Sequence, residues 1–129
     1  MSLYRLIHLP SGQAVATVAQ AESWSAKGWG VLGRRTLPAG EGLWLPGVAS
    51  VHTLGVRFPL DLLFLNEKFE AVKIARETPP GRWLVRAPGA CHTVELGAGT
   101  LTPLLNAQDS WRLERLAEER CFLKRKEGK

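Results

Sequence analysis

Sulfur is scarce in this sequence, with two cysteines and one methionine in 129 residues. Cys91 and Cys121 lie far apart in unlike surroundings, which excludes a disulfide framework and a thiolate metal quartet and fits a reducing compartment. Long apolar runs are absent too. No stretch reaches the roughly eighteen residues of a membrane-spanning helix, and the N-terminus has no basic start leading into an apolar leader, so a cytoplasmic protein with no membrane association is expected. Glycines at positions 28, 30, 33, 40, 42 and 47 match neither the dinucleotide-binding nor the Walker spacing, so they are read as turn residues and no cofactor is expected. Charge excess is missing from most of the chain. Of the net +5, residues 112–129 supply +3 (seven basic against four acidic) and residues 1–111 only +2 (ten against eight). That distribution argues against a basic nucleic-acid-binding face spread over the fold.

What is present is a turn-rich, 45% hydrophobic chain with thirteen glycines and eight prolines, long enough to bury a core as one domain. We assign residues 1–117 to a single β-rich domain and residues 118–129 to a charged, frayed tail. Alternation predicts a strand from Leu3 to Leu9, paired as a hairpin with residues 13–18 across Pro10-Ser11-Gly12. Further strands are predicted around Leu43-Trp44-Leu45, over residues 60–65 with a return over 69–75, and over 90–96 and 111–113. His8 is expected as an exposed strand end. Residues 19–29 suit a short helix closed by Gly28, with Trp24 and Trp29 packing it onto the sheet. Thr102-Pro103 opens a one-turn helix through Asn106, and residues after Leu116 suit another.

The chain is organised around residues 50–66, SVHTLGVRFPLDLLFLN. A strand over residues 60–65 is apolar on both faces except for Asp61, the pattern of a strand covered on each side. An ionised carboxylate there needs a cation or several N–H donors, and Arg57 is the nearest candidate. The residues allow two readings. In one, Asp61 and Arg57 form a structural ion pair and His52 is a satisfied turn residue; in the other they border a ligand or catalytic site. Arg34, whose guanidinium keeps its charge when desolvated, can pair with Asp61 or Glu95, or meet an anionic ligand. If residues 90–96 form a strand, His92 and Glu95 point to opposite faces, which excludes a His-x-x-Glu metal pair. Lys73, Arg76, Arg82 and Arg86 form a basic rim, read either as edge protection or as phosphate contacts.

The run VHTLGVRFPLDLLFLN resembles the central motif of the domain of unknown function 192 family, a His-Thr followed by Pro-hydrophobic-Asp and an apolar strand. GVLGRRTLPAGEGLWL and GACHTVELGAGT are similar to its flanking segments, with Arg34 and Glu95 on the family's arginine and glutamate. Gln108-Asp109 stands where the family usually has Gly-Asp, and Val31 and Val56 where it often has methionine. The resemblance implies a mainly β fold, a compact antiparallel sandwich or barrel-like domain with a short helix in its N-terminal half and one or two small helical turns. It implies no activity.

Three functions are carried forward. The first is a module binding a polar or carbohydrate-like small molecule through Arg34, His52, Thr53, Arg57, Asp61 and Glu95. The second is a hydrolase or lyase using Asp61 or Glu95 with His52 as acid or base. The third is an adaptor working through the basic C-terminal tail. No metal site is expected, and protein partners stay open.

Overall fold

The computed structural model describes residues 2–21, 34–102 and 105–116. Along these the chain forms β1 (Leu3–His8), β2 (Gln13–Gln20), β3 (Glu41–Pro46), β4 (Ser50–Val51), β5 (Leu60–Leu65), β6 (Ala71–Thr78), β7 (Val85–Arg86), β8 (His92–Gly97) and β9 (Trp111–Arg115). Seven strands make one sheet in the order β6-β5-β8-β3-β2-β1-β9, and β4 and β7 pair in a small ribbon of their own. The large sheet curls. Its two edges approach at the Glu70–Ser110 bridge, where Ala71 N–H donates to Asp109 O at 2.9 Å and Trp111 N–H to Phe69 O at 2.9 Å. The outcome is a half-closed barrel, mainly β as the pattern implied.

Most neighbours are antiparallel, including the β1–β2 hairpin and the pairing of β5 with both β6 and β8. One pair departs from the all-antiparallel expectation, since β3 runs parallel to β2 with Val18 opposite Gly42. Parallel neighbours need a crossover of a dozen or more residues rather than a tight turn, and residues 21–40 provide the length.

All six residues of β5 are buried. Leu63 and Leu65 face the concave side with Leu6, Val18, Val94 and Trp111. Leu60, Leu62 and Phe64 face outward against Val56 and Ala87, beneath the segments that carry β4 and β7. Full burial of such side chains is worth about 2 kcal/mol each, so β5 is the axis of both cores. Backbones also approach closely at Gly97, where a Cβ would stand 2.1 Å from Pro38 O; no side chain fits.

The helical expectations are corrected. No helix occurs among the described residues. The segment expected as a helix over 19–29 begins inside β2, which runs to Gln20 because Ala19 pairs with Leu3 and Leu43 and Gln20 with Trp44; its remainder from Glu22, with Trp24 and Trp29, lies outside the described residues. The one-turn helix expected from Thr102 through Asn106 runs over residues 103 and 104, which lie outside the described residues; on either side of them Leu105 N–H donates to Thr102 O at 3.0 Å. Everything after Leu116, tail included, is outside the described residues.

Candidate functional site

Asp61 is 1% exposed on the concave face at the start of β5. Its partners are backbone amides: Oδ1 accepts from Glu77 N–H at 2.8 Å, and Oδ2 from Gly99 at 3.1 Å and Leu101 at 2.8 Å. Three N–H donors satisfy a buried carboxylate without a cation. The expected ion pair with Arg57 does not form. Among the described residues the ion pairs are His8–Asp109 and Arg112–Glu114, and Arg57 and Arg34 are both exposed. Asp61 lies on β5 with its charge already met by amides, while Arg57 stands exposed on the connection before the strand.

Thr53 is fully buried in the layer outside the sheet. Its hydroxyl donates to Pro79 O at 2.8 Å and accepts from Arg82 N–H at 2.8 Å. Its backbone adds Thr53 N–H to Arg82 O and Gly81 N–H to Thr53 O, each 2.9 Å. Thr53 and Asp61 therefore act on one segment, residues 77–82, from its two ends. Glu77 at the near end has φ 47°, a left-handed conformation that costs a non-glycine residue about 1 kcal/mol or more, and the Asp61 bond to its N–H holds it there.

That segment walls an open recess of about 480 Å³ lined by Lys73, Arg76, Glu77, Arg82, Leu84 and Arg86, among others. Four basic residues and one acidic residue line it, a local excess larger than the +2 of residues 1–111. None of the four lies within 4 Å of a carboxylate among the described residues. Arg76 is held rigidly, its Nε donating to Leu101 O at 2.9 Å and Nη2 to the carbonyls of Thr102 and Leu105. Lys73 Nζ donates to Arg86 O at 3.1 Å. Arg82 and Arg86 extend into solvent. A smaller recess of about 210 Å³, bordered by Asp61, Gly99 and Leu101, shares Arg76 and Glu77 with it.

The remaining expected residues do not converge there. His52 and Arg57 are exposed on the connection between β4 and β5. Glu95 is 4% exposed and, opposite Leu43 and Leu62, lies on the outward face of the sheet, away from Asp61. Among the described residues no group of three or more His, Cys, Asp or Glu stands close enough to hold a metal ion.

His8 corrects a further expectation. It is 5% exposed rather than a solvated strand end, with Nε2 2.8 Å from Asp109 Oδ2 and Nδ1 2.8 Å from Ser11 Oγ. The His8 bond, with a second from Asn106 N–H, holds the Asp109 carboxyl below its ordinary range. Ser11 Oγ also receives Gln13 N–H at 3.3 Å, so the line of three side chains locks a turn. Asp109 is 101 positions from His8, which is why no local pattern revealed the pair. Glu77 was equally hidden, because nothing in its neighbours marks a left-handed residue.

The profile of DUF192, described as "Uncharacterized ACR", matches residues 7–108. The chain belongs to this family. No curated protein matches the sequence. Among solved structures, a Sinorhizobium meliloti 1021 protein described as a candidate transcription regulator is similar to this chain, at 23% identity and TM-score 0.74, covering 87% of this chain and 92% of that one. A protein of unknown function from Novosphingobium aromaticivorans DSM 12444 is similar at 17% identity and TM-score 0.68, covering 87% and 84%. At these identities the likeness establishes the shared fold.

Proposed function

We propose that this DUF192 protein is a binding module for a polar, negatively charged small molecule, seated in the recess beside β6. The observation that carries the reading is the set of four cations without carboxylate partners around a wall whose two ends are held by Thr53 and Asp61. Fixed positive groups in a concave surface raise the local concentration of anions and stay in place when one arrives. In this reading Thr53 and Asp61 build the site, and the ligand meets the arginines. The scarce, widely separated cysteines fit a reducing, cytoplasmic setting for this reading.

The enzymatic alternative has less support. Asp61 is 1% exposed with three of its roughly four acceptor sites taken by backbone amides, and a general base must lie within reach of the proton it takes. Glu95 is on the opposite face of the sheet. The tail-mediated alternative concerns residues outside those described.

A thermal-shift screen against small carboxylates, phosphates, nucleotides and neutral sugars, run beside Arg82→Gln/Arg86→Gln, tests the reading. Ligand binding to the native state alone raises the midpoint. An anion is expected to stabilise the wild type and not the double variant; equal shifts in both proteins, or no shift with any compound, overturn it.

A further inference from the structure

We propose that the ligand of this recess is a phosphorylated polyol such as a sugar phosphate, a proposal that rests on the binding reading above and gives it a substrate class. Two features of the recess ask for different things. The basic side asks for a multiply charged anion: Arg82 and Arg86 are exposed and lie on either side of Leu84 in the sequence, and the Lys73 ammonium is fixed by Arg86 O, while the Arg76 guanidinium, on the same wall, is taken up by the carbonyls of Leu101, Thr102 and Leu105. Planar guanidinium forks match the oxygen geometry of a phosphomonoester.

Glu77 asks for something else. It is the one acidic residue lining a basic recess, where a pure anion site gains nothing from it, and it stands there in a left-handed backbone conformation at φ 47°. Backbone strain held in place by surrounding bonds gathers at binding and catalytic positions, and here the Asp61 bond to Glu77 N–H supplies the hold. The Glu77 carboxylate has no ion-pair partner among the described residues. A carboxylate is an acceptor only, so the group that suits it is a pair of hydroxyls on the ligand. Leu84, 56% exposed, lines the same recess and offers an apolar surface to the C–H face of a ring. Anion donors, a hydroxyl acceptor and an aliphatic contact lining one recess together describe a phosphate carried on a hydroxylated ring.

Isothermal titration of the wild type with inorganic phosphate, glucose and glucose 6-phosphate provides the test, with Glu77→Gln and Arg82→Gln/Arg86→Gln as variants and circular dichroism as the check on folding. Glucose 6-phosphate is expected to bind about ten-fold more tightly than inorganic phosphate, the worth of one or two charge-assisted hydrogen bonds. Glu77→Gln should keep the phosphate affinity and lose that gain; the arginine variant should lose both. If phosphate and glucose 6-phosphate bind equally to wild type, the polyol assignment is overturned while the anion-binding reading stands. If no small anion binds, both fall. Co-sedimentation with phosphatidylcholine vesicles containing phosphatidylinositol 4-phosphate separates the sources: capture dependent on Glu77 and Arg82 supports the same chemistry on a lipid headgroup. Binding of an oligo-dT strand but of no sugar phosphate reassigns the surface to nucleic acid and overturns the proposal.

Discussion

Asp61 and Asp109 each tie a loop to the sheet, one deep in the fold and one near its surface. Asp61 is buried and meets three backbone amides. Asp109 is partly exposed and meets one amide and the imidazole of His8. Backbone amides do not titrate, so the first tie depends only on the carboxylate keeping its charge. The second has an ionisable partner on the other side. The contrast shows how one residue type serves as a permanent clamp where the chain surrounds it and as a condition-dependent one where solvent reaches it.

Replacing Asp61 by Asn is the strongest way to break this comparison. An amide nitrogen would face at least one N–H donor, and leaving buried donors unmet should cost roughly 3 kcal/mol or more in a urea titration; a loss no larger than that of Asp109→Asn would sink the idea of a backbone clamp. Thr53→Val asks whether a neutral group at the other end of residues 77–82 does comparable work. It keeps the shape and removes the hydroxyl bonded to Pro79 and Arg82, so a loss of about 2 kcal/mol is expected, with Thr53→Ser retaining most of the stability.

Asp109→Asn should have a smaller effect, and one that depends on pH. The folded carboxyl is held below its ordinary range, first by His8. A group whose pKa falls on folding adds stability above its unfolded value and loses it as pH drops through the folded one. The melting-temperature gap between wild type and variant should therefore be full near neutrality and narrow as acid protonates the folded carboxyl, below the usual carboxylate range; a gap that does not narrow with acid would contradict the assignment. The smallest change should be a gain. Gln108 beside it has φ 81°, and Gln108→Gly should relieve strain worth up to about 1 kcal/mol, seen as a raised midpoint with unchanged cooperativity.

Much of the fold was legible in the chain. The all-apolar run around Asp61 marked β5 as covered on both sides, and alternation placed β1, β2, β8 and β9 close to their observed bounds. The opposite facing of Val94 and Glu95 followed from strand parity alone and holds in the two cores. Less was legible at the site. Proximity in sequence suggested Arg57 for Asp61, yet its donors come from positions 77, 99 and 101. Lys73, Arg76, Arg82 and Arg86 were visible as a basic rim, but whether they shared a recess depended on how residues 77–82 were pinned.

The sequence by itself determined a mainly β, single-core-strand architecture and the need of Asp61 for donors, because periodicity and the hydration of a buried charge are local properties. Only the tertiary structure decided which donors answer Asp61, that β3 lies parallel to β2, that His8 finds Asp109, and that Thr53 and Asp61 grip the same segment. Each of those is a contact between residues distant in the chain, and it exists only once the curled sheet has brought strands far apart in sequence side by side.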